Sequence, residues 1–130
     1  MKIIVYFLLG GVLLVAIANA QQTPSFDGTW KGIHKIRPGS DLEVQLVIKG
    51  QGGTWQWERK SGKWSWPCAG YEFPVVLQDG IPTELTFRIE SEKIVKGCGE
   101  AVVSLKLVDE NRTLEGTFKK SGTSVKLIRQ

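Results

Sequence analysis

From residue 26 onward, the chain alternates apolar and polar residues in short stretches separated by glycine-rich turns. In the first stretch Phe26, Trp30 and Ile36 share one face, and charged residues such as Lys31 and Lys35 share the other. A period of two is typical of antiparallel strands with one buried face. The pattern predicts eight strands, at residues 26–37, 41–49, 54–59, 64–78, 82–91, 99–108, 112–119 and 123–129.

An even number of consecutive strands has a structural consequence. The first and last strands can then pair antiparallel and close the sheet, which leaves no exposed edge. We therefore predict an all-β fold, an eight-stranded antiparallel up-and-down β-barrel, in a single domain over residues 21–130.

The stretch 64–78 contains a change of phase. Trp64 and Trp66 are apolar at even positions, whereas Tyr71 and Phe73 are apolar at odd positions. We interpret residues 67–70 as a β-bulge within one strand. A true turn there would give nine strands, and barrel closure would then require a parallel pair.

Turn lengths predict the register of four hairpins, because each pairing must keep the apolar residues on one face. The predicted opposite pairs are Ile36 with Leu42, His34 with Val44, Ile48 with Trp55, Leu46 with Trp57, Trp57 with Trp66, Arg59 with Trp64, Phe118 with Val125, and Leu114 with Arg129.

The N-terminus has the three parts of a secretory signal peptide in order. Lys2 provides the positive charge, residues 3–17 are an apolar run, and Ala18-Asn19-Ala20 is a small-x-small cleavage site. A membrane anchor is the alternative, but the run is shorter than the roughly 20 residues that a spanning helix needs. We predict a signal peptide at residues 1–20, a secreted or periplasmic mature protein, and no integral membrane segment after cleavage.

The charge and the cysteine content limit which partners, bonds and cofactors the chain is expected to have. The net charge of +4 is spread without blocks of like charge, which is weak support for nucleic-acid binding, so we expect no nucleic-acid partner. In an exported chain, the two cysteines Cys68 and Cys98 predict one disulfide. A metal site lacks a CxxC spacing, and the single histidine His34 is distant in sequence, so we expect no metal and no cofactor.

The two ends of the mature chain resemble a known superfamily. Phe26-Asp27-Gly28-Thr29-Trp30 opens the domain and Leu127-Ile128-Arg129 ends it. This resembles the calycins (the lipocalin, fatty-acid-binding and avidin-like barrels) and small exported bacterial barrels that open Gly-x-Trp-x-Gly. The resemblance implies that Trp30 and Arg129 pack together where the barrel closes. It does not carry over a ligand, because the chain is short for a lipocalin, lacks a two-helix cap and lacks the biotin-holding residues of avidins.

Four tryptophans cluster on the apolar face of one predicted hairpin. They could form the wall of a ligand pocket, or they could simply fill the core of a small barrel. A nearby pair, His34 and Arg59, could bind a carboxylate at the barrel mouth. Alternatively, Arg59 stacks on a tryptophan and His34 meets water at the rim. The predicted ligand-binding residues are His34, Trp55, Trp57, Arg59, Trp64, Trp66 and Tyr71.

These residues favour a binding protein for an apolar, aromatic or sugar-like small ligand in a tryptophan-lined barrel. The alternative is a secreted or periplasmic interaction module, an inhibitor or envelope-associated factor that contacts an extracytoplasmic protein. We expect no enzyme, because there is one histidine and the cysteines are paired. The glutamates also fall on predicted outward faces, at Glu43, Glu58, Glu72, Glu84, Glu90 and Glu115. The sequence leaves the oligomeric state open.

Overall fold

The structure, a computed structural model, describes residues 25–58 and 66–130. The predicted signal peptide therefore lies outside the described residues. The strands are β1 (Gly28–Arg37), β2 (Ser40–Lys49), β3 (Gly52–Trp57), β4 (Phe73–Gln78), β5 (Glu84–Ile89), β6 (Ala101–Val108), β7 (Thr113–Phe118) and β8 (Ser124–Arg129), with a short 3-10 helix at Ser91–Lys93.

The eight strands close into an antiparallel barrel in the order β1 to β8. Each strand pairs with its neighbour in sequence, and β8 returns to pair with β1. The predicted up-and-down barrel is thereby confirmed.

The alternation that predicted the strands is also the pattern of burial. In β2, Leu42, Val44, Leu46 and Ile48 are buried, while the residues between them face outward. Large side chains from several strands meet inside the barrel. Trp30, Trp55, Phe73 and Phe87 have no exposed surface. The interior is therefore filled by the protein's own side chains.

Glycines at inward positions allow neighbouring strands to come close. A Cβ atom on Gly32 of β1 would overlap the carbonyl oxygen of Lys126, and a Cβ on Gly116 of β7 would overlap that of Ser104. Glycine inside a strand often marks a tight bend or a close approach of two backbones. Both positions are therefore closed to any larger residue unless the backbone moves.

The chain ends meet at one end of the barrel. The guanidinium carbon of Arg129 lies 4.1 Å from the centroid of the Trp30 ring. The same guanidinium donates hydrogen bonds to three backbone carbonyl oxygens, at 2.9 Å to Ser25, 3.0 Å to Asp27 and 3.2 Å to Asn111. The packing implied by the resemblance is present, and the closed barrel is compatible with a calycin-like fold.

The registers differ from the predicted ones by two residues. His34 lies opposite Leu42, Leu46 opposite Trp55, and Leu114 opposite Leu127. A shift of two keeps every side chain on its original face, so the hydrophobic pattern cannot detect it. The wrong pairs are Ile36 with Leu42, His34 with Val44, Ile48 with Trp55, Leu46 with Trp57, Phe118 with Val125, and Leu114 with Arg129.

The turns explain this shift. Arg37 pairs with Ser40, and Lys49 pairs with Gly52, so each of the first two hairpins turns over two residues. Gly39 and Gly50 have φ angles of 78° and 63°, which suit a tight hairpin turn. The second turn lies one residue earlier in the chain than the predicted one, and in the first hairpin an irregularity in the pairing between Lys35 and Arg37 adds to the effect of the shorter turn.

The predicted strand 64–78 is also wrong over residues 66–72, which lie outside any strand. Residues 67–70 form a turn instead of a bulge, and β4 begins only at Phe73. Phe73 lies opposite Trp55, so Trp57 has no strand pairing with Trp66. The predicted pair Arg59 with Trp64 lies outside the described residues. The turn does not add a ninth strand to the described barrel, which closes with eight.

The predicted disulfide is confirmed. Cys68 and Cys98 are bonded, with their Cα atoms 5.8 Å apart. The bond joins the turn at residues 67–70 to the connection between β5 and β6. It therefore links two loops at the same end of the barrel.

We predict that Gly116→Ala destabilises the protein by about 1–3 kcal/mol or more, because the new methyl group overlaps backbone of β6. Gly80→Ala is the matched control, since a Cβ there meets its nearest atom, the Glu84 carbonyl oxygen, at 3.5 Å. Urea unfolding of both variants measures the difference. Equal stability of the two would contradict the close-approach explanation.

We predict that Arg129→Lys lowers the free energy of unfolding by about 1–2 kcal/mol, although it keeps the charge. Lysine lacks the planar fork that lets one side chain reach three carbonyl oxygens. Arg112→Lys, at an exposed arginine in the turn that precedes β7, is the control and should change little. Thermal unfolding monitored by tryptophan fluorescence compares them.

Candidate functional site

The barrel end opposite Arg129 carries a concave site that we call the mouth cup. Its volume is about 310 Å³ and it is open to solvent. Aromatic and apolar side chains make up most of its wall, and a few hydroxyl groups lie among them. The lining residues are His34, Ile36, Trp57, Trp66, Ser91, Cys98, Ala101, Phe118, Ser121 and Thr123.

β1 places His34 at the floor of the cup. Its side chain points inward because it shares a face with Trp30, and only 4% of it is exposed. The imidazole stacks on the ring of Phe118, with centroids 4.1 Å apart and planes 4° apart. The histidine is therefore held by packing, and the alternative of a ring that meets water at the rim is wrong.

Both ring nitrogens of His34 are engaged. The indole Nε1 of Trp57 donates to Nδ1 at 3.0 Å, and Nε2 lies 2.8 Å from Oγ1 of Thr123. Thr123 Oγ1 lies in turn 2.7 Å from Oγ of Ser121. An indole N–H can only donate, so Nδ1 carries no proton and Nε2 donates to Thr123. We call Trp57, His34, Thr123 and Ser121 the polar relay.

This environment favours the neutral imidazole. Burial lowers the pKa of His34 to about 4. Protonation of Nδ1 would also break the hydrogen bond from Trp57. A neutral ring with both nitrogens engaged has no free group for an anion, so the carboxylate site predicted from His34 and Arg59 loses its histidine, and Arg59 lies outside the described residues.

The aromatic wall of the cup is formed by edge-to-face contacts. Trp66 packs against Trp57 with centroids 4.5 Å apart and an angle of 74° between the planes. Trp57 in turn meets Trp55 at 5.5 Å and 76°. Such geometries are the favoured ones for aromatic pairs. Trp57 is 4% exposed and Trp66 is only partly buried, so Trp66 presents more of its surface to the cup than Trp57 does.

The predicted site residues are therefore divided. His34, Trp57 and Trp66 line the mouth cup together. Trp55 lies in the core with no exposed surface, and its Nε1 atom has no hydrogen-bond partner among residues 25–58 and 66–130. Tyr71 is 40% exposed and is absent from the lining. Arg59 and Trp64 lie outside the described residues.

Sequence reasoning missed three of the lining residues that matter most. Phe118 was recognised only as an inward residue of the last hairpin, and Ser121 and Thr123 only as parts of a turn and a strand. The signal that could have found them is the turn itself. A serine two residues before a threonine can accept its backbone N–H, as Ser121 Oγ does from Thr123 N at 3.3 Å.

The loop that contains Cys98, on the side of the cup nearest the disulfide, is fixed by hydrogen bonds to a carboxylate. Glu92 accepts hydrogen bonds from the backbone N–H groups of Gly97, at 3.1 Å, and Gly99, at 2.8 Å. These two bonds hold the pKa of Glu92 below its usual range. Because Cys98 lies between the two glycines, this arrangement fixes the loop that brings Cys98 to the cup.

One predicted outward glutamate is in fact buried. Glu90 is 7% exposed and forms ion pairs with Lys93 at 3.1 Å and Arg88 at 3.3 Å. The hydrogen bond from Lys93, followed by that from Arg88, lowers the pKa of Glu90. β5 ends at Ile89, so the chain leaves the strand alternation there, which explains the error. In the described parts of the chain, no group of three His, Cys, Asp or Glu side chains could hold a metal ion.

Comparisons with protein-family models, with curated proteins and with solved structures gave no match to this chain. The class is therefore defined by the fold: a closed, eight-stranded antiparallel barrel with one disulfide. The disulfide fits a protein that folds in an oxidising compartment. Over residues 25–58 and 66–130, no helix is long and apolar enough to cross a membrane.

We predict that the protein loses stability as the pH falls from 6.5 towards 4. Over this range the unfolded chain binds a proton at His34 and the folded chain does not, so the loss reaches roughly 3 kcal/mol near pH 4. His34 is the sole histidine, so the upper part of this window belongs to it. Urea unfolding at pH 7, 6 and 5 measures the slope.

The control for this prediction is His34→Gln, which should have a flatter stability profile between pH 7 and 5. Direct NMR titration of the His34 ring in the folded protein provides an independent readout. A midpoint near 6.5 would contradict the buried, neutral state.

Proposed function

We propose that this chain is an exported, calycin-like binding protein that holds a small apolar, aromatic or sugar-like ring in the mouth cup. The observation that carries the proposal is the cup itself, in which Trp57, Trp66 and Phe118 surround an open space beside a chain of hydroxyl groups. Small-molecule sites commonly combine such apolar walls with a few placed polar groups, and barrel mouths are a usual location.

The size and order of the cup support a small ligand. At about 310 Å³ it falls at the lower end of the usual range for ligand pockets, which suits one or two rings. Trp57 is held by its hydrogen bond to His34 and by edge contact with Trp66. A wall that is already ordered loses little side-chain entropy when a ligand binds.

The filled interior favours the mouth over the barrel axis. A ligand placed inside would have to displace Trp55, Phe73 or Phe87, each of which has no exposed surface. Removing such packed rings from the core costs several kcal/mol. The proposed site therefore differs from the tryptophan-lined interior expected from the sequence.

Two features support export and the calycin-like assignment. The signal-peptide pattern at residues 1–20 and the Cys68–Cys98 bond are both typical of exported proteins. The contact between Trp30 and Arg129 is the one that the resemblance implies. We propose a secreted or periplasmic location, with cleavage before Gln21.

A second candidate function is protein interaction through the outer wall. A groove of about 670 Å³ crosses β1, β7 and β8, and Ile33 and Ile128 lie in it, with Ile128 49% exposed. An exposed apolar surface of this kind is typical of contact sites. This candidate leaves the cup without a role, so we rank it second.

The test is a titration of the mature protein with toluene, p-cresol and methyl β-glucoside, followed by tryptophan fluorescence and amide NMR shifts. We expect at least one of these three ligands to shift the amide resonances of Trp57, Phe118 and Thr123 together. Ala101→Leu, which fills the cup from β6, should weaken binding at least 10-fold. Val102→Leu, on the neighbouring outward position, is the matched control and should leave binding unchanged.

The outcomes separate the two candidates. If the ligands shift only the amide resonances of Ile33 and Ile128, the result would favour the second candidate, a contact site in the outer groove. No shift in the cup with any of the three rings would overturn the proposed function.

A further inference from the structure

We propose that the mouth cup selects a ring that carries one hydroxyl group, a phenol-type ligand, over plain hydrocarbon rings and over sugars. This inference rests on the proposed function, since it names the ligand of the same cup. It follows from a count of the protons and lone pairs in the polar relay.

The relay begins with two donors of fixed direction. Trp57 donates to Nδ1 of His34, and Nε2 of His34 donates to Thr123. Neither ring nitrogen then has anything left to offer a ligand. On this side of the cup, the hydroxyl groups of Thr123 and Ser121 are therefore the relay groups that can form hydrogen bonds with a ligand.

These two hydroxyls have two protons between them. They form one hydrogen bond with each other, in which either oxygen can be the donor. Whichever way that bond points, one hydroxyl proton is used and one remains. The pair therefore always has one donor to spare.

The same count applies to the acceptors. Each hydroxyl oxygen can accept two hydrogen bonds, which gives four places in total. One is taken by His34 Nε2, one by the bond within the pair, and one by the backbone N–H of Thr123 on Ser121 Oγ. Counted over the hydrogen bonds of the described residues, one acceptor place is left.

A spare donor beside a spare acceptor matches a single hydroxyl group. A ligand hydroxyl can accept the relay proton and donate its own to the remaining lone pair. A carboxylate only accepts, and a hydrocarbon ring does neither. Among the aromatic residues in the lining, Trp66 is the least buried, and it provides the stacking surface for the ring that bears the hydroxyl.

The apolar remainder of the cup disfavours sugars. Ile36, Ala101 and Phe118 face the same space as the relay, and among the lining residues Ser91 is the one hydroxyl outside it. Several sugar hydroxyls would lose water against these side chains without a partner in return. One hydroxyl on an apolar ring leaves no such group unpaired.

The experiment compares p-cresol with toluene in three proteins. The double variant Ser121→Ala with Thr123→Val removes both hydroxyls of the relay. The matched control, Ser124→Ala with Thr117→Val, changes the same residue types at a cross-strand pair of exposed residues in the same hairpin. Using the ratio of the two affinities cancels the different hydration of the two ligands.

We expect the p-cresol to toluene affinity ratio to fall roughly 5- to 150-fold in the relay variant, the effect of two hydrogen bonds, and to stay unchanged in the control. In the wild-type protein, p-cresol should shift the Nε2 resonance of His34 more than toluene does, because only p-cresol changes the hydrogen bonds of the relay. This measurement also serves if the relay variant does not fold.

Each other result has a defined meaning. If both rings bind and the ratio is the same in all three proteins, the hydroxyl selection is wrong and the ring-binding cup stands. Tighter binding of methyl β-glucoside than of p-cresol would also overturn the selection. If none of the three ligands shifts the cup, the proposed function fails, and this inference fails with it.

Discussion

The filling of the barrel interior by large rings is the constraint on which the other features depend. An eight-stranded barrel has an interior just wide enough for side chains, and here Trp30, Trp55, Phe73 and Phe87 occupy it without any exposed surface. A site for a ligand then has to lie at an end of the barrel or on its wall. The two ends differ, because Arg129 stacks on Trp30 and binds three carbonyl oxygens at one of them. The open end is consequently the one that forms a cup.

The buried indole N–H groups of the core need hydrogen-bond partners, and His34 provides one of them. Each buried indole has one N–H that loses water on folding, and an unpaired N–H is costly. Trp57 has its partner in His34, whose other nitrogen leads to Thr123 and then to Ser121 at the surface. Trp55 has none within the described parts of the chain. The histidine thus connects the core to the mouth through hydrogen bonds, and that connection gives the cup its polar side.

The fold could be predicted from the sequence because period-two alternation decides which side of a sheet each residue occupies. Leu42, Val44, Leu46 and Ile48 are buried as their spacing requires, and the even number of strands closes the barrel. Register is a different matter. Moving β2 by two residues against β1 leaves every apolar group inside, so the choice falls to the turn, and the tight turns at Gly39 and Gly50 set it. The turn at residues 67–70 was missed for a similar reason, since a bulge and a turn produce the same change of phase.

The site depended on these same details of register and was predicted only in part. The inward face of Trp55 and Trp57 follows from alternation, but their depth along the barrel axis follows from the pairing of Val44 with Trp57 and Leu46 with Trp55. That pairing puts Trp57 near the mouth and Trp55 one step deeper. The contact of Trp57 with His34 crosses the interior from β3 to β1, strands that do not pair with each other, and Phe118 reaches the same histidine from β7. Such contacts exist only once the barrel is closed, so no local pattern encodes them, and the hydroxyl relay that defines the cup is a product of closure.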